Sequence, residues 1–467
     1  MAGWASQGLT AAQLSDGRIQ LWATDASGRI WSNWQIQFDW IYWQSPWTPS
    51  LPTFHTQSLA VAPLSDKRLQ FWAVDTAGTI WSCWKSSTNA NATWTPWASQ
   101  WTAQPPPFKS AQAAAAPLSD GRLQFWAVDT SGKIWSCWKS ATSSSSAWTP
   151  WVSQWTPQPP PFTATEVAAA PLSDGRLQFW AVDTTGKIWS CWKSNTNASS
   201  AWTAWTSQWT AQPPPFNARQ VAAAQLSDKR LQFWAVDTAG KLWSCWKSST
   251  NSSSAWTPWT QAWIADTPTF VTRTLWPAKL SDGRLQVWLI DSQGEIRTTF
   301  KTTTDSNAPW SNWSLAFAMM RQEQTNWCWA GCSVGTSHFY NQASAWTQCS
   351  LANAELNKTT CCQDPGPCNV YGFLNTALQT VGNFDHMTYS AEADATITAQ
   401  AQAGQPLGVR VAWSGGGAHF IMVVGGGPNN MVYVKDPWYG ASYITYNTLK
   451  NSYQGSGSWT HSYFTKQ

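Results

Sequence analysis

The sequence predicts two domains of different class: an all-β propeller of about six four-stranded blades over residues 1–317, then an α+β domain over residues 318–467. Three observations lead there. The tripeptide Leu-Ser-Asp recurs with its Leu at 14, 64, 118, 172, 226 and 280, and six copies at a near-fixed period mark a repeat architecture. The 41 Trp residues divide 35 to 6 at residue 317. Beyond that point the repeat stops, and a Cys, a His and an Asp appear in settings suited to chemistry.

Composition narrows the function classes. Charged residues make up 11% of the 467, against about 25% in ordinary soluble domains, which excludes a disordered polyelectrolyte. Net charge is about +5 before residue 318 and −1 after it. With no basic cluster, no nucleic-acid partner is expected. No apolar run approaches the roughly 18 residues of a membrane span. The opening MAGWASQGLTAAQLSDGR lacks a basic stretch followed by an apolar one, so no conventional export signal is expected. Action outside the cell, or on a target organism, would need another export route.

The third copy reads LSDGRLQFWAVDTSGKIWSCWKSATSSSSAWTPWVSQWTPQPPPF. RLQFWAVD is a run of strand formers, Asp129-Thr130-Ser131-Gly132 a turn and KIWSCW the next strand. A Ser-rich loop follows, then WTPWVSQW as a third strand and QPPPF as a stiff connector. AQAAAAP ahead of the Leu-Ser-Asp supplies a fourth, small-residue strand, placed innermost. Four strands per unit set radially make a propeller. A helical solenoid would need 3.6-residue periodicity, which is absent; five or seven blades remain open. Blades stack on both faces, so large flat indoles fill the wedge between them. Cys83, Cys137, Cys191 and Cys245, one per blade, read as small buried thiols.

The unit DGRL-x-hydrophobic-W-A-x-D-x-x-G-x-I-W-x-x-W, as in Asp120 through Trp138, resembles the β-propeller lectins that bind fucose, galactose or methylated sugars. That resemblance covers nearly all of residues 5–317 and implies shallow glycan sites between blades, with avidity from several equivalent copies. The candidate contacts are Trp81, Trp135, Trp189 and Trp243, with Arg68, Arg122, Arg176 and Arg230; a turn-to-strand hydrogen bond is an equal expectation for the arginines. The sixth unit departs, with Arg297 in the Trp position and Phe300 for the last Trp. The first is irregular too, reading FDWIYWQSPW where the others have a polar loop.

In the second domain Cys328 precedes Trp-Ala and a helix-compatible stretch. A thiol at a helix start is favoured as thiolate. Gln322, six residues upstream, is placed to donate to an oxyanion beside the Cys328 N–H. His419 lies near the start of a glycine-framed strand, and a second strand ends at Asp436-Pro437-Trp438. In an antiparallel pair these two side chains fall together, giving a nucleophile, a base and an orienting acceptor. His338 reads as a helix-surface or core histidine, and His386 and His461 have no supporting frame.

The order Gln, Cys-Trp-Ala, His, Asp-x-Trp resembles the papain-like cysteine peptidases, most nearly their compact bacterial branch of virulence and effector proteases, over roughly residues 320–467. It implies Gln322 as oxyanion donor, Cys328 as nucleophile, His419 as base, Asp436 as orienter and Trp438 as a shield over the His–Asp pair. The chain departs in having Thr-Asn-Trp-Cys-Trp around the thiol and Asp as orienter. Cys349, Cys361, Cys362 and Cys368 are candidates for two disulfides, in undetermined pairing; the spacing lacks paired Cys-x-x-Cys knuckles, so no metal or other cofactor is expected. The combined expectation is a glycan-targeted cysteine endopeptidase acting on protein substrates. The alternative is a multivalent lectin whose second domain is inactive or transfers acyl groups.

Overall fold

The computed structural model describes residues 6–36 and 39–467. Residues 1–5, the start of the stretch read for an export signal, and Phe38, in the irregular first repeat, lie outside the described residues.

Residues 6–317 form six small antiparallel sheets, one per repeat. In the third, Ser110–Pro117, Leu123–Asp129 and Ile134–Trp138 pair in chain order. The Leu-Ser-Asp-Gly-Arg motif is the first hairpin turn: Leu118 N–H donates to Arg122 O, and Gly121 takes the left-handed φ of 85° that closes it. Asp129 builds the second turn, its Oδ1 accepting from the Ser131 and Lys133 amides while Oδ2 accepts from Trp135 Nε1 at 2.8 Å.

The expected fourth strand is not a continuous one in the first five blades. Trp148 and Val152 touch the third strand only as isolated bridges to Lys139 and Ser136. Pro150 interrupts the run with no N–H to give a ladder. The segment instead sends Trp148 and Trp155 into the core, and Lys139 Nζ fastens its loop through Ser144 O and Ser146 O. Among the described residues of the propeller, the sixth sheet alone has four strands, the last being Ser314–Leu315.

Blades meet through indoles. Trp22, Trp72, Trp126, Trp180, Trp234 and Trp288 are fully buried, and Trp126 reaches Phe179 of the next blade with ring centroids 4.9 Å apart. The ring closes where Trp276 Nε1 donates to Ala11 O and Ser6 N–H to Gly294 O. This closure makes the first domain a six-bladed propeller. The innermost strands are the small-residue ones, as their composition suggested. Cys83, Cys137, Cys191 and Cys245 are buried free thiols.

Residues 318–467 are α+β. A six-stranded antiparallel sheet runs in the spatial order 384–388, 457–465, 407–413, 418–425, 431–436, 440–445. Helix α1, Cys328–Tyr340, packs against it, with Trp327, Trp329 and Val334 meeting Phe420, Met422 and Val424 in one core. On α1, Gly335 makes room for the segment entering the domain, since a Cβ there would sit 3.0 Å from the Phe317 ring. Cys349–Cys362 and Cys361–Cys368 are disulfides that tie the following helix α2, Gln348–Leu356, to its loop.

The second domain seats on the two irregular blades. Arg297, which replaces the repeated Trp, keeps that Trp's carboxylate partner through Nε to Asp291 Oδ2 at 2.8 Å. Its other nitrogens donate to Ala401 O and Gln402 O, at the C-terminal end of helix α4, Asp394–Gln402. A guanidinium thus adds to the Gly404 N–H bond on Ala401 O and serves Gln402 O at the negative end of the helix. Phe300, replacing the last Trp, packs on Tyr433 and Tyr443. From the first blade, Tyr42 stacks on His338 at 4.0 Å and Asp39 pairs with Lys435.

Candidate functional site

Cys328 is the first residue of α1, so its N–H is among those with no acceptor inside the helix. The strands Ala418–Gly425 and Met431–Asp436 are antiparallel neighbours. Their pairing sets His419 beside Asp436, with Nε2 to Oδ1 at 2.8 Å. The other ring nitrogen is left for the thiol, and Cys328 is among the groups that favour the charged imidazole.

Asp436 is completely buried and its carboxylate is fully used. Besides His419, Oδ1 accepts from the Trp438 and Tyr439 amides at 2.6 and 2.9 Å. Oδ2 accepts from Tyr453 O–H at 2.7 Å. An anion so held orients the imidazole and favours its charged form. Burial alone would lower the His419 pKa, but hydrogen bonds and charge attraction from Asp436 and Cys328 outweigh it and push it up to about 9.

Two assignments come out differently. Gln322 lies against the site, its N–H donating to Pro437 O, but its side-chain Nε2 donates to Gln324 O and Thr325 O at 2.7 and 2.8 Å. Both amide hydrogens are spent on the local loop, and Oε1 is buried without a partner. In this arrangement Gln322 has nothing to give an oxyanion. Trp438 is 37% exposed and lies under the Arg321 guanidinium rather than over His419. The rings beside His419 belong to Trp413, 6.2 Å away and nearly parallel, and Tyr439. Sequence reasoning missed Trp413 and Tyr453. Neither sits in a motif, though Tyr453 closes the short helix that follows the Asp436 hairpin.

The candidate glycan contacts are already engaged. Arg68, Arg122, Arg176 and Arg230 each bind the Asp two residues before them through Nε. Each then reaches the next blade through Nη2, to Ser144, Ser199, Ser252 and Asn307 respectively. Trp81, Trp135, Trp189 and Trp243 spend their N–H on the turn aspartates and stack on Phe54, Phe108, Phe162 and Phe216. Lys133 lies 4.6 Å from the Trp135 ring centre. Each indole keeps an exposed edge. A cavity of about 300 Å³ lined by Lys133, Gln154, Pro160 and Phe162 lies nearby, but Trp135 is not on its wall.

Among the described residues no group of His, Cys, Asp or Glu is arranged to hold a metal ion, and no helix is long and apolar enough to cross a membrane. No protein-family model matches the chain, and no curated protein matches it in sequence. Three solved structures are among those similar to it. BP39L lectin of Burkholderia pseudomallei has 16% identity and a TM-score of 0.45, covering 65% of this chain and 82% of its own. AofleA of Arthrobotrys oligospora has 10% and 0.47, over 66% and 85%. The six-bladed fucose-recognising lectin of Aleuria aurantia has 11% and 0.44, over 67% and 96%.

Proposed function

We propose that this chain is a carbohydrate-binding propeller rigidly carrying a thiol-dependent enzyme, in its most specific form a papain-like cysteine endopeptidase. The carrying observation is the Cys328–His419–Asp436 arrangement, with the thiol at a helix start and the imidazole held by a buried carboxylate. His419 holds the Sγ proton as an imidazolium, and the thiolate attacks a carbonyl carbon. The Cys328 N–H receives the developing oxyanion. The imidazolium protonates the leaving amine, and water then frees the acyl group. The propeller is read as holding glycoconjugates through the exposed edges of its repeated indoles, delivering protein near them to the thiol.

The bound amide of Gln322 favours a second reading: a multivalent lectin whose second domain is inactive or passes its acyl group to an acceptor other than water. One experiment separates them. The full chain is treated with an epoxide thiol inhibitor and, in parallel, mixed with a denatured protein substrate followed by mass spectrometry. Labelling and cleavage, both lost in Cys328→Ala, support the peptidase. Labelling with an intact but mass-shifted substrate supports acyl transfer, and no labelling supports the lectin alone. A glycan array on the full chain tests the propeller, and an array with no bound sugar overturns that half.

A further inference from the structure

The propeller axis encloses a cavity of about 310 Å³, the lower end of the range for small-molecule sites. It belongs to neither the thiol site nor the blade edges. The innermost strands of all six blades line it, with Ala, Leu and Val from the first five and polar side chains from every blade.

The level of those polar side chains is where the repeats stop resembling one another. The second strand reads LQFWAVD in four consecutive blades. The innermost strands of blades two to six begin TQS, SAQ, ATE, ARQ and TRT. In each of these five the pairing skips the middle residue of the triplet, as a β-bulge does. Bulges re-aim side chains, and here two of the skipped residues are Arg219 and Arg273. The residue after the bulge brings Gln112, Glu166 and Gln220 to the same wall. The fourth and fifth blades, identical in their second strand, thus carry Glu166 and Arg219 at this level, the sixth adds Arg273, and all three line one cavity.

Arg219 Nη2 donates to Thr272 O and Gln220 Nε2 to Val221 O and Leu275 O, but both side chains keep bonding capacity that is unmet. Arg219 Nε and Gln220 Oε1 are buried and make no hydrogen bond, a costly condition for polar atoms. Neither Glu166 nor either arginine joins an ion pair in the described residues. Among the described residues Arg273 donates to the neutral Gln7 amide. Asp237 is the acid felt by Arg219, but it is committed to its own turn and to Trp243. Burial pushes the Glu166 carboxyl up to about 8, so near neutral pH it is largely uncharged and able to donate. The two guanidiniums then lack compensation, and such a pair suits a carboxylate.

We propose that the axial cavity binds one small carboxylate-bearing polar molecule, the size of a single sugar acid or amino acid, with Arg219 and Arg273 on its carboxylate and Glu166 and Gln220 on its other polar groups. The site rests on no reading of the thiol chemistry or of the blade edges.

The test is calorimetric titration of the full chain with glucuronate and with glutamate, with glucose as the neutral control. One acid is expected to bind with a Kd in the millimolar range or tighter while glucose does not. Arg219→Gln and Arg273→Gln should each weaken that binding tenfold or more. Ala115→Leu, which narrows the cavity with every charge in place, should weaken it as well, so the result does not hang on variants that fail to fold. Absence of binding by either acid overturns the proposal, because the cavity then holds water alone. Binding unchanged in the folded arginine variants or in Ala115→Leu overturns it too, since the acid would then sit elsewhere.

Discussion

Lys435 of the second domain donates to Asp39 of the first blade at 2.6 Å, both side chains being 4% exposed. Lys435 directly precedes Asp436, and the other Asp39 oxygen accepts from Met319 N–H. One propeller carboxylate therefore holds both the entry to the second domain and the strand that presents the His419 partner.

Removing one member of such a pair strands the other charge in a dry interface. Asp39→Ala is expected to lower stability by about 3–5 kcal/mol. Asp39→Leu with Lys435→Met is expected to recover most of it. Chemical denaturation of the three proteins decides, and equal midpoints for Asp39→Ala and the parent would sink the idea.

The raised His419 pKa fixes the sign of a pH effect. The folded state holds the imidazole proton up to about 9, against an ordinary value of 6.5. Its stabilising contribution is complete below pH 6.5 and is lost as pH rises through 9. If Cys328 is the nucleophile, kcat/KM should fall on the alkaline side with a midpoint near pH 9. Asp436→Asn should move that midpoint to lower pH, because the neutral amide no longer favours the imidazolium. A limb that stays in place in Asp436→Asn would separate His419 from the observed activity.

Tyr453 acts on His419 only through Asp436. Tyr453→Phe removes one hydrogen bond to a buried carboxylate, worth about 1.5–3 kcal/mol. Turnover is expected to fall about tenfold, with the alkaline midpoint displaced and KM little changed. A variant that loses stability but keeps the parent's pH profile would make Tyr453 purely structural.

The repeated arginines are read as clasps between blades. Arg122→Ala removes a half-exposed ion pair and one bond to Ser199, so the expected loss is about 1 kcal/mol, with glycan binding, where measured on the array, unchanged. Loss of sugar binding without loss of stability would return Arg122 to the ligand site. Trp126→Ala, by contrast, empties the space between two blades and is expected to cost about 3–5 kcal/mol.

The turns were legible because each is local. Leu-Ser-Asp-Gly-Arg and Asp-x-x-Gly bond within five residues, so their chemistry lies in consecutive letters. Cys328, His419 and Asp436 were legible because a helix start and two adjacent strand ends leave few ways for them to meet. Trp413 and Tyr453 were not, since no motif marks them: Trp413 lies across the hairpin that joins 407–413 to 418–425, and Tyr453 reaches Asp436 from the end of the helix after 440–445. The fourth strand was over-read because Trp alternation looks alike whether its backbone pairs or only its rings are buried. Arg297, read as a departure from the repeated Trp, is a fitting for the second domain, a role visible only once α4 is in place.

The arginine clasps have a consequence for how such a ring can change. Arg18, Arg68, Arg122, Arg176 and Arg230 each grip the blade that follows them. A middle blade therefore meets the same hand on either side, and duplicating or deleting one copies or removes a complete joint. The first and sixth blades have no such freedom, because their departures are cut to fit another domain. New chemistry can accumulate in the interior copies by drift of single strands, while the seam that carries the thiol domain must change in concert or not at all.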